Sequence, residues 1–407
     1  MKFHNIDYPN KLDIIFDKLN KYNVKIVLVG GYIRDSLLQI DSKDIDIELF
    51  NIKSFILLEE ILKEFGDVNS VGKSFGVCKL RYGELDLDFS LPRTDSKHSE
   101  GHKGFEVTTN SKLDFKSAAS RRDFSMNAMG YDVIKRELLD PFNGFDDLNN
   151  SLIKAVDLKK FGEDPLRVLR AIQFSARFEF RLDEPLFKEC KQMISNDILK
   201  ELPHERIFTE LQKLLLKSNK PSIGLKLAKD LGISEYFGEY LSFDEIDYFT
   251  SHKTGDDKKD ILIFLALLYT KNSFYQISNI TSEVKLIRNV EIFLETKDAF
   301  PLETYSDYDL YRLATIVDVE LFSSYLNARY LGDKIAQITT LKSKAQKLGI
   351  LNTQIPALIQ GRDIIALGKS QSREFKIILD EAYTAQMKGE FTSPKTAEVW
   401  LKKRLSL

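Results

Sequence analysis

Asp44 and Asp46 stand two residues apart in the segment KDIDIEL at 43–49. That spacing puts both carboxylates on one face of an extended strand. On an otherwise apolar strand the pair would repel and lose hydration unless positive charge lay between them. Hard divalent cations, Mg²⁺ above all, meet that need with oxygen ligands, so Asp44 and Asp46 are the expected metal ligands. Asp88, in the alternating run LDLDFSL at 85–91, is a natural third carboxylate from a neighbouring strand. Upstream, KIVLV at 25–29 runs into Gly30-Gly31 and then a helix carrying Arg34 in its first turn. Glycine lets the backbone approach phosphate oxygens, the helix start offers free N–H groups, and Arg34 can add a charge-assisted contact. Each feature alone also has an ordinary structural reading, a tight turn or a solvent-facing strand edge; the latter suits Asp86. Together they point to phosphoryl or nucleotidyl transfer, with one metal activating the attacking hydroxyl and the other neutralising the leaving pyrophosphate.

The elements that must position these groups can be read from periodicity. Lys25–Val29, Ile45–Phe50, Cys78–Arg81 and Leu85–Leu91 have the composition of strands, and Tyr32–Gln39 that of a helix. Thr94–Gly104 is polar with no apolar period and reads as a flexible loop. From about residue 150 strand-like alternation disappears, and Pro165–Phe178, Glu205–Lys217 and Phe375–Lys388 repeat apolar residues at helical spacing. The expected fold class is α+β: a nucleotidyltransferase-type head with a mixed sheet at 1–140, then an all-α neck at 141–230, body at 231–335 and tail at 336–407.

Composition bounds the rest. A chain of 407 residues with 43% hydrophobic and 29% charged residues suits a multi-domain globular protein. The longest apolar run, Ile261 to Tyr269, is about half of what a membrane span needs. The first fifteen residues, MKFHNIDYPNKLDII, break their apolar stretches with charges, unlike a signal peptide. Two cysteines are too few for a disulfide framework or a structural zinc site, so a reduced cytoplasmic setting is the default. The net charge of −2 is unevenly spread. Basic residues outnumber acidic ones by 16 to 12 over 151–230, fall behind by 9 to 17 over 231–330, and lead again by 13 to 7 over 331–407. Two basic regions around an acidic one could grip a polyanion at separated places, or reflect ordinary surface variation.

GGYIRD (30–35), DID (44–46), RRDFSMNAM (121–129), DPFNGFDDL (140–148), EDPLRVLRAIQFSARF (163–178) and HER (204–206) follow in order. This succession resembles class II tRNA nucleotidyltransferases and bacterial poly(A) polymerases, and IQGRDIIALG…EAYTAQMKGEF resembles the tail of the CCA-adding branch. The resemblance implies that Gly31 and Arg34 contact the triphosphate and that Asp44 and Asp46 bind Mg²⁺. It implies that Arg122 binds phosphate, and that Asp123 and Asn127 recognise the ribose hydroxyl, which suits two side chains able to accept from a 2′-OH. It also implies that Glu205 and Arg206 brace the helix of EDPLRVLR, with His204 a residue of its own helix start rather than a ligand.

In EDPLRVLR, Pro165 suits a first helical turn, with Asp164 at its start and Arg167 and Arg170 following on nearly one face. Leu166, Leu169 and Ile172 then turn inward. An aspartate accepts from an exocyclic amino group while an arginine donates to the ring acceptor beside it. Cytosine and adenine present that arrangement and uracil and guanine reverse it, so an Asp–Arg pair can select C and A without a template. The competing reading is an i,i+3 salt bridge worth about 0.2–0.5 kcal/mol. Two departures stand out. Gln173 occupies a position where many relatives carry arginine. His252 is the only histidine beyond residue 204, and Tyr269-Thr270 stands where a phosphohydrolase would need His-Asp, so no such activity is expected. The expected function is addition of CCA to the 3′ end of tRNA from CTP and ATP. Poly(A) synthesis, CC-only or A-only addition, and a catalytically dead RNA-binding protein are the alternatives. Oligomeric state is not legible.

Overall fold

The computed structural model describes residues 6–42, 44–69, 76–97, 105–233, 243–270 and 274–407. After Lys25, strand β1 (Lys25–Val29) is an unbroken run of branched apolar residues, as suits a strand hydrogen-bonded on both sides and covered on both faces. It lies inside a seven-stranded sheet of order β3-β4-β5-β2-β1-β8-β9. The remaining strands are β2 (Asp44–Phe50), β3 (Asp67–Asn69), β4 (Val77–Tyr82), β5 (Leu85–Ser90), β8 (Gly130–Asp132) and β9 (Glu137–Leu139). All neighbours are antiparallel except β2 and β5, whose parallel register sets Asp46 beside Asp88 and Asp44 beside Asp86. A mixed sheet was the expectation, and its third and fourth predicted strands fall on β4 and β5. The short β8–β9 pair lacked a sequence signal, since three-residue strands are too brief to show a period.

Helix α1 (Asp13–Asn20) precedes β1, while α2 (Gly31–Leu37) and α3 (Phe55–Leu62) follow β1 and β2, α1 lying against β1 and α3 against β4. On the face that carries Asp44 and Asp46, α4 (Phe115–Ala119) closes over Val27, Val29 and Phe50, in a cluster that adds Phe115, Ala118, Ala119 and Ala128. This helix covers only part of the face. Strand β2 therefore starts with exposed Asp44 and Asp46 and ends with four buried residues from Ile47 to Phe50.

Of the segment expected to be a loop at 94–104, the described part, 94–97, is strand instead. Strand β6 (Arg93–Lys97) pairs antiparallel with β7 (Phe105–Thr109), from Arg93 opposite Thr109 to Lys97 opposite Phe105. Threonines and backbone pairing make a ribbon here without the apolar alternation of a packed strand. Residues 98–104 lie outside the described residues.

From α5 (Gly144–Asn149) and α6 (Leu158–Phe161) onward, the described residues are helical as expected. Among them a two-residue parallel bridge joins β10 (Leu152–Ile153) to β11 (Arg181–Leu182). Helix α7 (Leu166–Phe178) packs against α9 (His204–Lys217) and α10 (Pro221–Leu231), and α8 (Glu184–Ser195) lies between them in sequence. Gly224 permits the close approach: a Cβ there would sit 2.8 Å from Leu214 and 2.9 Å from Ala176. Of the three α7 residues expected to turn inward, Leu169 and Ile172 are buried, and Leu166 at the first turn is half-buried.

The chain divides into two compact units, Met1–Ile233 and Ser234–Leu407. In the second, ten helices from Phe243–Thr250 to Pro394–Arg404 are described. The apolar run Ile261–Tyr269 is buried within it. Ile359, Ile364, Phe375, Ile378, Ala382, Ala385, Phe391, Ala397 and Leu401 form its C-terminal core. No helix among the described residues is long and apolar enough to cross a membrane.

Candidate active site

The strand-to-helix turn sets the geometry. Gly30 adopts φ +74° and ψ −133°, open to glycine and strained for other residues, and α2 begins at Gly31. Across the turn lie two opposite charges: a Cβ on Gly30 would come within 2.8 Å of Arg122 Nη1 and 3.4 Å of Asp46 Oδ2. The helix start, the Asp46 carboxylate and the Arg122 guanidinium thus border one recess. Solvent reaches Asp46 from the open side, while protein on the others removes much of its hydration. That desolvation holds its carboxyl above the usual aspartate range; Asp88 and Asp44 add to the shift, and Arg122 and Lys79 oppose it. Crowded carboxylates of this kind are what a divalent cation relieves.

Arg122 carries no hydrogen bond on Nε. Burial, then the like charge of Arg121, pull its guanidinium pKa down, against the nearby Glu48, Asp46 and Asp123. A desolvated cation with unused donors is well suited to a phosphate. Asp88 behaves differently from Asp46. It accepts from Lys79 Nζ at 2.8 Å, a pairing that raises the lysine's pKa. Among the described residues no group of three or more His, Cys, Asp and Glu is placed to hold a metal ion. Two aspartates with water and substrate phosphate as further ligands is the pattern Mg²⁺ favours, so Asp44 and Asp46 fit the ion while Asp88 starts out neutralised by Lys79.

Arg34 is placed otherwise than the expectation of a triphosphate contact requires. Its side chain is only 4% exposed. Nε and Nη2 both donate to Asp35 Oδ1, at 2.8 and 2.6 Å, and Nη1 donates to Asn127 Oδ1 at 2.6 Å. The guanidinium also stacks on Phe174 and Phe178, 5.1 and 4.7 Å from their centroids. A first-turn arginine can curl toward the phosphate side or back toward a partner helix, and the aromatic face of α7 draws it back.

From Arg34 a hydrogen-bonded chain runs through the site. Asn127 Nδ2 donates to Asp123 Oδ1 at 2.9 Å, Phe124 N–H donates to the same oxygen, and Arg170 Nε donates to Oδ2 at 2.6 Å. Burial raises the Asp123 pKa, yet Arg170, Asn127 and the Phe124 N–H more than offset this and hold it below the usual value. At the other end, Arg177 Nη2 reaches Asp35 Oδ2 at 3.2 Å. Helix α7 is thus tied to the 121–127 loop and to α2. The sequence reading missed Asp35 and Arg177; the only available signal was that an acid follows Arg34 directly.

At the start of α7, Asp164 Oδ1 accepts from Leu166 N–H at 3.0 Å. Arg167 donates from Nη1 to Lys160 O at 2.8 Å and from Nη2 to Arg121 O at 2.9 Å. No Asp164–Arg167 salt bridge forms, so the i,i+3 alternative does not describe the pair. Arg167 is held by carbonyls, with its orientation fixed and its charge uncompensated. Glu205 and Arg206 are exposed at the start of α9 along with His204. Packing of α9 and α10 braces α7, and Glu210 of α9, after Asp123, helps raise the Arg170 pKa against the burial that lowers it. Gln173 is buried with Nε2 unbonded. In the second unit His252 stacks on Tyr248 with centroids 4.2 Å apart, its Nδ1 2.8 Å from Tyr248 O.

Comparison with known proteins extends this picture. Residues 26–154 match the Poly A polymerase head domain, and residues 179–243 the probable RNA and SrmB- binding site of polymerase A. The Multifunctional CCA protein of Aliivibrio salmonicida (strain LFI1238) is 34% identical over 214 residues, 51% of this chain and 49% of that protein. The chain thus spans about half the length of the curated relative it matches. Among solved structures, the Bacillus stearothermophilus CCA-adding enzyme in complex with CTP superposes with a TM-score of 0.77 at 21% identity, covering 98% of each chain. The Thermotoga maritima CCA-adding enzyme complexed with tRNA_CCA gives 0.65 at 22% identity, covering 98% of this chain and 97% of that one. At such identities the likeness is one of fold.

Proposed function

We propose that this chain, whose residues 26–154 match the Poly A polymerase head domain, is a tRNA nucleotidyltransferase adding CCA to the 3′ end of tRNA from CTP and ATP, with release of pyrophosphate. The observation that carries this reading is the meeting of Gly30, Asp46 and Arg122 at one turn, with α7 bonded behind it. The relative at 34% identity, named a multifunctional CCA protein, supports the product. Asp44 and Asp46 would hold Mg²⁺, which supplies activation of the attacking hydroxyl and neutralisation of the leaving pyrophosphate. Asp88, paired with Lys79, is the third carboxylate facing the same recess.

The remaining work falls to this chain's side chains. Arg122 and the N–H groups from Gly31 onward bind triphosphate oxygens. Asp123 and Asn127 accept from the ribose hydroxyls, and Arg170 keeps Asp123 charged and oriented. Asp164 and Arg167 face the base edge, where they select cytosine and adenine. Arg34, through Asp35 and Asn127, keeps α2 and the ribose-binding loop in register with α7 rather than touching phosphate. We assign the head to 1–140, the neck to 141–230, the body to 231–335 and the tail to 336–407, the last as the tRNA-contacting region.

The deciding experiment supplies purified protein with tRNA lacking its last three nucleotides together with CTP, ATP or both. Two cytidines from CTP alone, and completion to CCA with both, are expected. Long A tails, or arrest after CC with both nucleotides present, would replace this reading with a poly(A) or a CC-adding enzyme.

A further inference from the structure

Glu48 continues the strand face of Asp44 and Asp46 and lies opposite Val27 in the sheet, under the end of α4. It is 1% exposed, and neither carboxylate oxygen accepts a hydrogen bond. Among the described residues its ion pair is with Arg121, Oε1 to Nη2 at 3.5 Å, longer than a hydrogen bond. A carboxylate buried in this way is costly, and the position borders an apolar cluster that would accept a hydrophobic side chain. Its surroundings give it a use. Arg121 and Arg122 leave α4 together as adjacent, half-buried guanidinium groups, and two like charges so placed splay apart without an anion between them and the sheet. Arg121 also provides, through its carbonyl, the acceptor that holds Arg167 Nη2 at 2.9 Å.

We propose that Glu48 is a positioning residue: a buried counter-charge that holds the Arg121–Arg122 turn against the sheet, so that Arg122 faces the recess beside Gly30 and Arg167 keeps its backbone anchor. Glu48 and Asp46 both favour the charged form of Arg122, against the burial and the like charge of Arg121 that pull its pKa down. Glu48 touches neither substrate nor reacting atoms. One acid thereby serves two parts of the site, phosphate contact through Arg122 and base choice through Arg167. The inference rests on the function proposed above.

Glu48→Gln keeps the shape and removes the charge. The variant should melt no lower than wild type, while the KM for CTP and the Kd for CTP by direct titration rise about tenfold and kcat changes by less than about threefold. Incorporation of UTP relative to CTP should rise as well. A purely structural role predicts the reverse: a lower melting temperature with KM and Kd unchanged, which overturns the inference. Should Glu48→Gln fail to fold, Arg121→Gln decides, since a raised Kd for CTP supports the assignment and an unchanged one overturns it. Wild-type protein that binds CTP and extends tRNA, with variants that bind CTP equally well, sinks the Glu48 role alone. Wild-type protein that binds neither CTP nor ATP and extends nothing removes the proposed function and this inference together.

Discussion

Arg170 donates from Nε to Oδ2 of Asp123 at 2.6 Å, joining the first half of α7 to the loop that follows α4. Asp123 is buried, so truncating its cation leaves an uncompensated charge. Arg170→Ala should cost roughly 2 kcal/mol, less than a fully enclosed pair because Arg170 is about a third exposed. A melting temperature lowered by about 4–8 °C in calorimetry would register it, with loss of transfer exceeding the loss of stability because the ribose contact goes as well.

The same pair predicts a pH dependence. Burial raises the Asp123 pKa, but Arg170 and the N–H donors more than offset it, so the folded value lies below the ordinary 3.8. Such a group contributes stability above its unfolded pKa and loses it as pH falls through the folded one. Wild type should therefore exceed Asp123→Asn in stability at neutral pH, and the gap should narrow as pH drops below 3.8. Denaturant midpoints between pH 6 and about 3 test this; a gap of constant size would exclude the linkage.

Asp46→Asn separates chemistry from folding. The substitution relieves repulsion from Asp88 and Asp44 in a desolvated recess, so thermal stability in metal-free buffer should hold or rise. Nucleotide incorporation should fall by about a thousandfold or more, because the ligand for the cation is lost. Binding of tRNA, measured by filter retention, should stay near wild type. A variant that still adds nucleotides would dismiss Asp46 as a metal ligand.

How much of this was legible in the residues follows from how local each signal is. The β1–Gly30–α2 unit and the Asp44/Asp46 alternation depend on neighbours within a few positions, and the structure shows both. The α7 helix, with Leu169 and Ile172 inward, was readable for the same reason. Arg34 was not, because its choice between the recess and the rings of Phe174 and Phe178 depends on residues about 140 positions away. The ion pair of Asp88 with Lys79 depends on strand register, and the tie between Asp35 and Arg177 on helix docking, neither of which has a period to read. The ribbon at 93–97 was hidden because its residues are polar and its pairing is carried by backbone.

Arg167 tests template-free selection. Its guanidinium is fixed by the carbonyls of Lys160 and Arg121, a two-point hold that a lysine cannot reproduce. Arg167→Lys keeps the charge but loses the fork. Discrimination of CTP and ATP against UTP and GTP should relax by about tenfold, with tRNA affinity nearly unchanged. Single-turnover incorporation of each nucleotide measures the ratio; equal selectivity in variant and wild type would remove Arg167 from base choice.

Gly30 and Gly31 are adjacent and should respond differently to the same added methyl. At Gly30 the backbone is left-handed, φ +74°, and a Cβ would meet Arg122 Nη1 at 2.8 Å. Gly30→Ala should therefore cost about 1–3 kcal/mol in strain and displace Arg122, so that stability falls and KM for CTP rises together. At Gly31 the backbone is helical, and the nearest atom to a Cβ is Arg34 Nη2 at 3.4 Å, which must yield only slightly. Alanine is also the better helix former, by about 1 kcal/mol. Gly31→Ala should leave the melting temperature unchanged or raised, while KM for CTP rises if the triphosphate lies against the helix start. Measuring both variants side by side separates the two causes. A stable Gly31→Ala protein with wild-type KM would place the phosphates away from the α2 N-terminus, leaving Arg122 as their main contact.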